Sequence, residues 1–325
     1  MSRRCWPARR WLQLGAISLG VVGAGVIVKS FIPPTIELEG AESAPENWQR
    51  HNLPEIDISF LRCGSTQVPE WLLQQGVLSW RPRTIAHSAV LIRHPRATFL
   101  YDTGLCEAIS IRFIAEQSPF FRRTLGRLTQ EKSLSELLGG ISLDFALLSH
   151  LHWDHVGGVP DIPGVPLRVS RIEYESLLQS RDNEKKELTL RLMQNNPVEV
   201  FDLEPGDIAG FSAAQDLFGD GSLLLISLPG HTPGNTGLLI QRSNGSPLFL
   251  VGDAGHIVEN ILGPTPLHPL FGSMVTTDKE QALDTLKRLY LFANAHPEIP
   301  LICMHDAQMQ EKFMSSELAR KERAV

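Results

Sequence analysis

The chain has 325 residues, of which 42% are hydrophobic and 20% are charged, and its formal net charge at pH 7 is −6. These proportions exclude a disordered protein, because a chain of this length and apolar content buries a sizeable core. The acidic balance counts against a nucleic-acid-binding surface, which needs a basic patch, so no nucleic acid is expected among its partners.

The N-terminus combines arginines with an apolar run. Arg9 and Arg10 directly precede Trp11–Val28, which contains no charged residue and is long enough to cross a bilayer as a helix. Arg9–Leu14 also resembles a twin-arginine export signal, and no small-residue cleavage site follows the run. We therefore predict an N-terminal apolar helix within a signal or anchor segment, residues 1–32, with a buried helix as the alternative. This segment would associate with the membrane and place the body of the protein on the extracytoplasmic side of the cytoplasmic membrane.

Residues 33–55 are rich in proline, glutamate and asparagine, which is typical of a linker. Beyond them, apolar runs and helical patterns mix without a clean division, so we predict one α/β domain, residues 56–325. The predicted strands are Ile56–Arg62, His87–Arg93, Thr98–Tyr101, Leu143–Ser149, Leu223–Leu228, Gly237–Ile240, Leu248–Val251 and Pro300–Met304. The predicted helices are Glu107–Gln117, Ser133–Leu138, Arg171–Gln179, Leu188–Gln194 and Asp278–Ala293.

Residues 150–155 read His-Leu-His-Trp-Asp-His and directly follow an apolar run. Such a run predicts a buried strand, so this cluster stands where a strand ends and a loop begins. Alternation along an extended chain places His150 and His152 on one side, while Asp154 and His155 can face a second point nearby. Imidazoles and a carboxylate suit zinc, iron or manganese, so the cluster predicts a site for one metal ion or two adjacent ions.

A site for two ions needs further ligands, and three candidates each follow an apolar run. His231 lies in a loop that contains two prolines, Asp253 follows Gly252, and His305 precedes Asp306. A strand end or a tight loop holds the geometry of a ligand. A lone residue of this kind is more often structural, but three in series behind the cluster favour metal binding.

Together these motifs resemble those of the metallo-β-lactamase superfamily, over most of residues 56–312. The five motifs of the family are matched, in chain order, by Tyr101–Gly104, His150–Gly158, His231, Asp253 and His305. In the family, the Asp at the position of Asp102 supports the metal ligands without binding a metal itself. The resemblance implies an α/β fold, a four-layer αββα sandwich with the metals at one edge between its sheets.

The resemblance also implies a ligand set and a chemistry. The implied ligands are His150, His152 and His231 for one ion and Asp154, His155 and His305 for the other, with Asp253 bridging the two. Two divalent ions, zinc or alternatively iron, manganese or cobalt, would lower the pKa of a shared water, and the hydroxide would attack an ester or lactone carbonyl. Asp154 would relay the proton to the leaving alkoxide.

Within the superfamily, the chain looks like the N-acyl homoserine lactonase branch. The shared features are Ser149–His152, Pro229–Gly234, Thr277–Leu283 and His305-Asp306. That branch commonly has a Tyr three residues after the bridging Asp, in contact with the substrate carbonyl, where this chain has His256. We predict His256 to be a catalytic residue that donates the same hydrogen bond, unless the substrate differs. Gly255–Ser273, which is apolar and proline-rich, is predicted to form a wall over the metals or else an ordinary packed crossover.

Other members of the superfamily match less well. Class B β-lactamases lack the bridging Asp, and glyoxalase II enzymes carry a helical domain after the last ligand, where only 20 residues follow His305. Phosphodiesterase, arylesterase and sulfatase activities stay open, because the same metal pair serves several electrophiles. A non-catalytic binding member is a more remote alternative. The expected partner is a small-molecule ester or lactone, and the sequence does not determine the oligomeric state.

Overall fold

The structure is a computed structural model that describes residue 32, residue 48 and residues 52–323. The predicted N-terminal helix and most of the predicted linker lie outside the described residues. Within the described part of the chain, no helix combines the length and the apolarity needed to cross a membrane.

Strands and helices are mixed along the described chain. The strands are β1 (Asp57–Pro69), β2 (Pro82–His94), β3 (Ala97–Tyr101), β4 (Thr129–Gln130), β5 (Phe145–Leu147), β6 (Leu167–Ser170), β7 (Val198–Phe201), β8 (Glu204–Ile208), β9 (Phe211–Asp216), β10 (Leu223–Ser227), β11 (Thr236–Ile240), β12 (Leu248–Leu250) and β13 (Leu301–Ile302). The α-helices are α1 (Glu70–Leu73), α2 (Pro119–Thr124), α3 (Leu134–Leu138), α4 (Arg171–Gln179), α5 (Asn183–Met193), α6 (Val258–Leu262), α7 (Pro269–Val275), α8 (Lys279–Ala295) and α9 (Ala307–Arg323). Short π and 3₁₀ turns occupy Ile109–Phe113, Ile114–Glu116 and Val159–Asp161.

The strands form two sheets, with the orders β4-β1-β2-β3-β5-β6-β7 and β13-β12-β11-β10-β9-β8. In the first sheet, β3, β5, β6 and β7 run parallel to one another. Because the carboxyl ends of parallel strands meet at one edge, the residues that follow β3 and β5 lie side by side. Asp102 and His150 are thereby brought to the same edge of the sheet, as their positions after Tyr101 and Leu147 require.

Alternating side chains on the strands build successive layers. Leu225 of β10 and Tyr101 of β3 lie in the core between the two sheets. The next residue, Ile226, faces the other way and packs with Leu289 of α8. On the outer face of the first sheet, Leu100 belongs to a cluster that includes residues of α3 and α5. The predicted α/β architecture of two sheets and flanking helices is confirmed.

One residue of the predicted linker belongs to the core. The Trp48 side chain is 6% exposed, and its ring lies 5.9 Å from that of Phe292 and 5.2 Å from that of His296. It therefore packs against the end of α8, within the core cluster that this helix forms with the second sheet.

Two of the five predicted helices differ clearly from the structure, and α1, α2, α6, α7 and α9 were not predicted. Helix α5 begins at Asn183 rather than Leu188, because the Asp182 carboxylate accepts the Lys185 N–H at 3.2 Å and caps a longer helix. Residues 107–117, predicted as a helix, form the successive π and 3₁₀ turns instead. Strands β4 and β6–β9 were not predicted, since they are short or exposed and carry little apolar periodicity.

Candidate metal centre

The predicted ligands come together in one cluster at the edge of the sandwich. The residues brought together are His150, His152, Asp154, His155, His231, Asp253 and His305. Their loops begin where β5, β10, β12 and β13 end, so rigid strands set the positions of the side chains. Five of these side chains are buried, while His152 and Asp154 are half-buried towards the opening.

The first group of ligand atoms is nitrogen-rich. His152 Nδ1 lies 3.1 Å from His150 Nε2 and 2.9 Å from His231 Nε2. His231 Nε2 lies 3.3 Å from Asp253 Oδ2. Ligand atoms of a tetrahedral ion with bonds of about 2.0 Å are about 3.3 Å apart, so this group fits a divalent metal such as zinc.

The second group shares the carboxylate of Asp253. His305 Nε2 lies 3.5 Å from Asp154 Oδ2, 3.4 Å from His155 Nε2 and 3.2 Å from Asp253 Oδ2. Asp253 Oδ1 lies 3.3 Å from His155 Nε2, is buried, and accepts no hydrogen bond. A buried carboxylate oxygen without a hydrogen-bond donor is costly unless a cation neutralises it, and here it lies between the two groups.

Asp102, the predicted support of the ligands, sets the tautomers of two imidazoles. Its carboxylate lies 2.7 Å from His155 Nδ1 and accepts the Ser149 N–H and hydroxyl at 2.8 and 2.9 Å. Since the Ser149 hydroxyl proton goes to Asp102, its oxygen accepts the Nδ1–H of His150 at 3.0 Å. Both rings therefore donate from Nδ1 and turn an Nε2 lone pair towards the centre. His305 does the same, donating Nδ1–H to the Ala86 carbonyl at 2.8 Å.

Glu173, which the sequence did not single out, joins two of the ligand loops. It is 4% exposed, and its carboxylate accepts the N–H groups of Leu151 and Gly234 at 2.9 and 3.0 Å. Burial raises the pKa of Glu173. It thereby holds the loop of the His150–His155 cluster against the loop of His231.

Burial makes the imidazoles of the first group neutral. It lowers the pKa of His150 and of His231 well below the usual value, and that of His152 to about 4. At pH 7 these rings are neutral, so each has a lone pair with which to bind a cation without first losing a proton to the solvent.

The carboxylates reverse this effect in the second group. Burial opposes a charge on His155, but Asp253 and Asp102 raise its pKa well above the usual value. Burial likewise opposes a charge on His305, but Asp253 raises the pKa of this ring. Burial by itself would raise the pKa of Asp154, but the neighbouring imidazoles lower it. Carboxylates and imidazoles thus alternate around the position that a metal ion would occupy.

His87 of β2 joins the second group and was not predicted as a site residue. It is 4% exposed, its Nδ1 lies 3.6 Å from Asp154 Oδ2, and burial lowers its pKa. His87, Asp154 and His305 together form a further set of potential metal ligands. A histidine within the apolar strand pattern of residues 85–92 was the available signal, since buried polar residues there need a partner.

A cavity of about 420 Å³ opens beside the cluster. His231, Asp253 and His256 line the end next to the cluster, while Leu267 and Leu283 belong to its apolar wall. Much of the lining comes from residues 255–272, so the prediction that this segment forms a wall is confirmed. Nε2 of His256 lies 3.7 Å from Asp253 Oδ2, and burial lowers the pKa of His256 to about 4.

Sequence comparison places this geometry in a family. The profile of the Metallo-beta-lactamase superfamily matches residues 83–296. An N-acyl homoserine lactonase from Bacillus sp is 26% identical over 205 residues, covering 61% of this chain and 73% of that protein. The N-acyl homoserine lactonase AttM of Azorhizobium caulinodans is 28% identical over 215 residues, covering 64% and 80%.

Solved structures share the fold. An N-acyl homoserine lactone hydrolase with N-hexanoyl-L-homoserine bound at its catalytic metal centre aligns with a TM-score of 0.61 at 19% identity, covering 81% of this chain and 97% of that one. AidC, a dizinc quorum-quenching lactonase, aligns with a TM-score of 0.55 at 20% identity, covering 79% and 90%. The prediction of a metal-dependent hydrolase is confirmed by the family match and these relatives. Since the profile spans well over half of the chain and the fold agrees, the chain belongs to the metallo-β-lactamase superfamily.

Proposed function

We propose that the chain is a dinuclear metal-dependent hydrolase that opens a lactone ring, with N-acyl homoserine lactones as its substrate class. One observation carries this proposal: two groups of ligand atoms share Asp253, and an apolar cavity of about 420 Å³ opens beside them. A small polar ring would then meet the metals while an acyl chain lies along the wall. The lactonase relatives support this choice of substrate.

The donor set fits two ions, which we propose to be zinc. The ligands would be His150, His152 and His231 for one ion, Asp154, His155 and His305 for the other, and Asp253 for both. When bound, such ions make hydroxide available near neutral pH and stabilise negative charge on a carbonyl oxygen. Iron, manganese or cobalt suits the same donors, so metal analysis must decide the identity.

Two side chains would act on the substrate directly. His256 lines the cavity, and with its pKa lowered to about 4 its ring is neutral at pH 7. It can then donate an N–H hydrogen bond to the lactone carbonyl. Asp154 is 16% exposed at the opening and would pass a proton to the departing alkoxide.

We further propose that residues 1–32 anchor or export the protein, which leaves the domain of residues 56–325 on the extracytoplasmic side of the cytoplasmic membrane. The support is the Arg9-Arg10 pair and the apolar run after it. Replacing both arginines with lysine should retain a reporter fusion in the cytoplasm. Export that continues unchanged would contradict a twin-arginine route.

The decisive test is metal analysis followed by a hydrolysis panel on metal-replete protein. We expect two ions per chain and turnover of acyl homoserine lactones above aryl esters, phosphodiesters, sulfate esters and a cephalosporin. Fewer than about one ion per chain would contradict the dinuclear site. Turnover of another class with the lactones untouched would contradict the substrate and leave the family assignment intact.

A further inference from the structure

The imidazole of His87 points into the second ligand group from a strand that carries none of the predicted ligands. We propose that His87 is a further ligand, through Nδ1, of the ion that Asp154 and His305 would hold. This inference rests on the proposed dinuclear site. It adds a side chain to the set that the family motifs imply.

Hydrogen bonding fixes which nitrogen of His87 faces the centre. Thr66 has a single hydroxyl proton, which it donates to the Arg127 carbonyl at 2.8 Å. The Thr66 oxygen also lies 2.9 Å from His87 Nε2, so the ring must donate its Nε2–H to that oxygen. In its neutral form the His87 ring therefore carries its lone pair on Nδ1. In His155 and His305, the other imidazoles of this group, the nitrogen that faces the centre is Nε2 instead.

The Nδ1 lone pair of His87 faces a carboxylate oxygen of Asp154, which is also a hydrogen-bond acceptor. Nδ1 of His87 is buried, makes no hydrogen bond, and lies 3.6 Å from Asp154 Oδ2. Asp154 Oδ2 lies 3.5 Å from His305 Nε2 on its other side. With His87 this ion would have five protein ligand atoms, and both distances lie within the roughly 3.0–3.6 Å between neighbouring ligand atoms of a five-coordinate ion with bonds of about 2.1 Å. Three converging acceptors of this kind are satisfied together by one cation.

The backbone holds His87 and His305 in fixed relation. Ala86, next to His87 in β2, donates its N–H to the His305 carbonyl at 2.9 Å and accepts Nδ1–H of His305 at 2.8 Å. The His87 and His305 rings lie 5.5 Å apart between centroids and nearly perpendicular, at 81°. Strand β2 is paired along its length with β1, which fixes the backbone of His87, while burial and the contact with Thr66 hold its ring. The position of its Nδ1 is therefore built into the sheet.

The test uses full-length protein loaded with cobalt, in which N–H protons of ligating imidazoles give shifted, solvent-exchangeable proton resonances. We expect His87→Phe to lose one such resonance and to bind one of its two ions at least about 10–100-fold more weakly, the loss that even an outer-shell partner causes. The matched control is His94→Phe, which removes another buried histidine of β2, one that contacts Ser222 and Asp220 and no predicted ligand. The His94→Phe protein should keep every shifted imidazole resonance and should bind both ions as tightly as the wild type.

Thr66→Val provides a second measurement if His87→Phe does not fold. It removes the acceptor of Nε2–H, so the His87 resonance should move while the other imidazole resonances stay in place. Full affinity and a full set of resonances in His87→Phe would overturn the inference and leave the dinuclear hydrolase intact. Wild-type protein with fewer than about one ion per chain would overturn both.

Discussion

The carboxylate of Asp102 lies 2.7 Å from Nδ1 of His155, and both side chains are buried. Asp102 occupies a left-handed backbone conformation, with φ of 55°, directly after β3. That turn aims its carboxylate across the sheet edge at a histidine more than fifty residues later. One buried acid thereby decides which nitrogen of His155 is offered to the centre.

Asp102→Asn should weaken metal binding by about 10–100-fold, because an amide no longer fixes the tautomer or charge of His155. Competition with a chromophoric chelator measures the affinity. Asp144→Asn is the control, since this more exposed acid also accepts a backbone N–H at 2.7 Å, from Thr98, but lies away from the cluster. Equal affinity in both variants would contradict the supporting role of Asp102.

Glu173→Ala should destabilise the fold, since two buried N–H groups lose their acceptor at a cost of about 1–3 kcal/mol each. The free energy of unfolding in urea measures the loss. Glu175→Ala, on the exposed side of the same helix, should change it by no more than about 0.5 kcal/mol. Similar losses in the two variants would show that Glu173 does not join the ligand loops.

His256→Phe should lower kcat for a lactone by about 10²–10³-fold, the usual effect of removing a hydrogen-bond donor to the reacting oxygen. His256→Tyr keeps a donor and should recover part of the rate. Both variants should hold as much metal as the wild type. Loss of an ion from His256→Phe would instead identify His256 as a ligand, as its place beside His231 and Asp253 permits.

Leu283→Trp should shorten the preferred acyl chain, because the indole fills part of the apolar cavity. Losing the burial of three CH₂ groups, at about 0.8 kcal/mol each, raises KM for a long-chain lactone by about 50-fold. Short-chain substrates should be unaffected. Leu318→Trp, on the exposed surface of α9, controls for the bulk of the new side chain. A uniform rise in KM across chain lengths would place the acyl chain elsewhere.

Metal loading at pH 7 should release protons. The pKa of His155 is raised well above its usual value in the metal-free chain, so at pH 7 its ring holds a proton that a cation must displace, and affinity falls as pH falls. The pKa of His305 is also raised, which adds to the release as the pH is lowered. In the metal-free protein, these raised pKa values contribute stability that is full below about pH 6.5, the unfolded pKa, and is lost as pH rises through the folded pKa. Calorimetry in two buffers of different ionisation enthalpy measures the release. Heats that do not depend on the buffer would contradict it.

The sequence by itself identified the candidate ligands and the strands that precede them. A metal site needs a few residue types at the ends of strands, and both features are local, so His150–His155, His231, Asp253 and His305 could be recognised along the chain. It also identified Asp102, and the wall that contains Leu267. Only the tertiary structure decided which groups come into contact. It places Asp253 between the two ligand groups, joins two ligand loops through Glu173, and brings His87 beside Asp154. The residues in each of these contacts lie far apart in the sequence. They come together because the two sheets and their loops pack against each other, and no local sequence pattern encodes that packing.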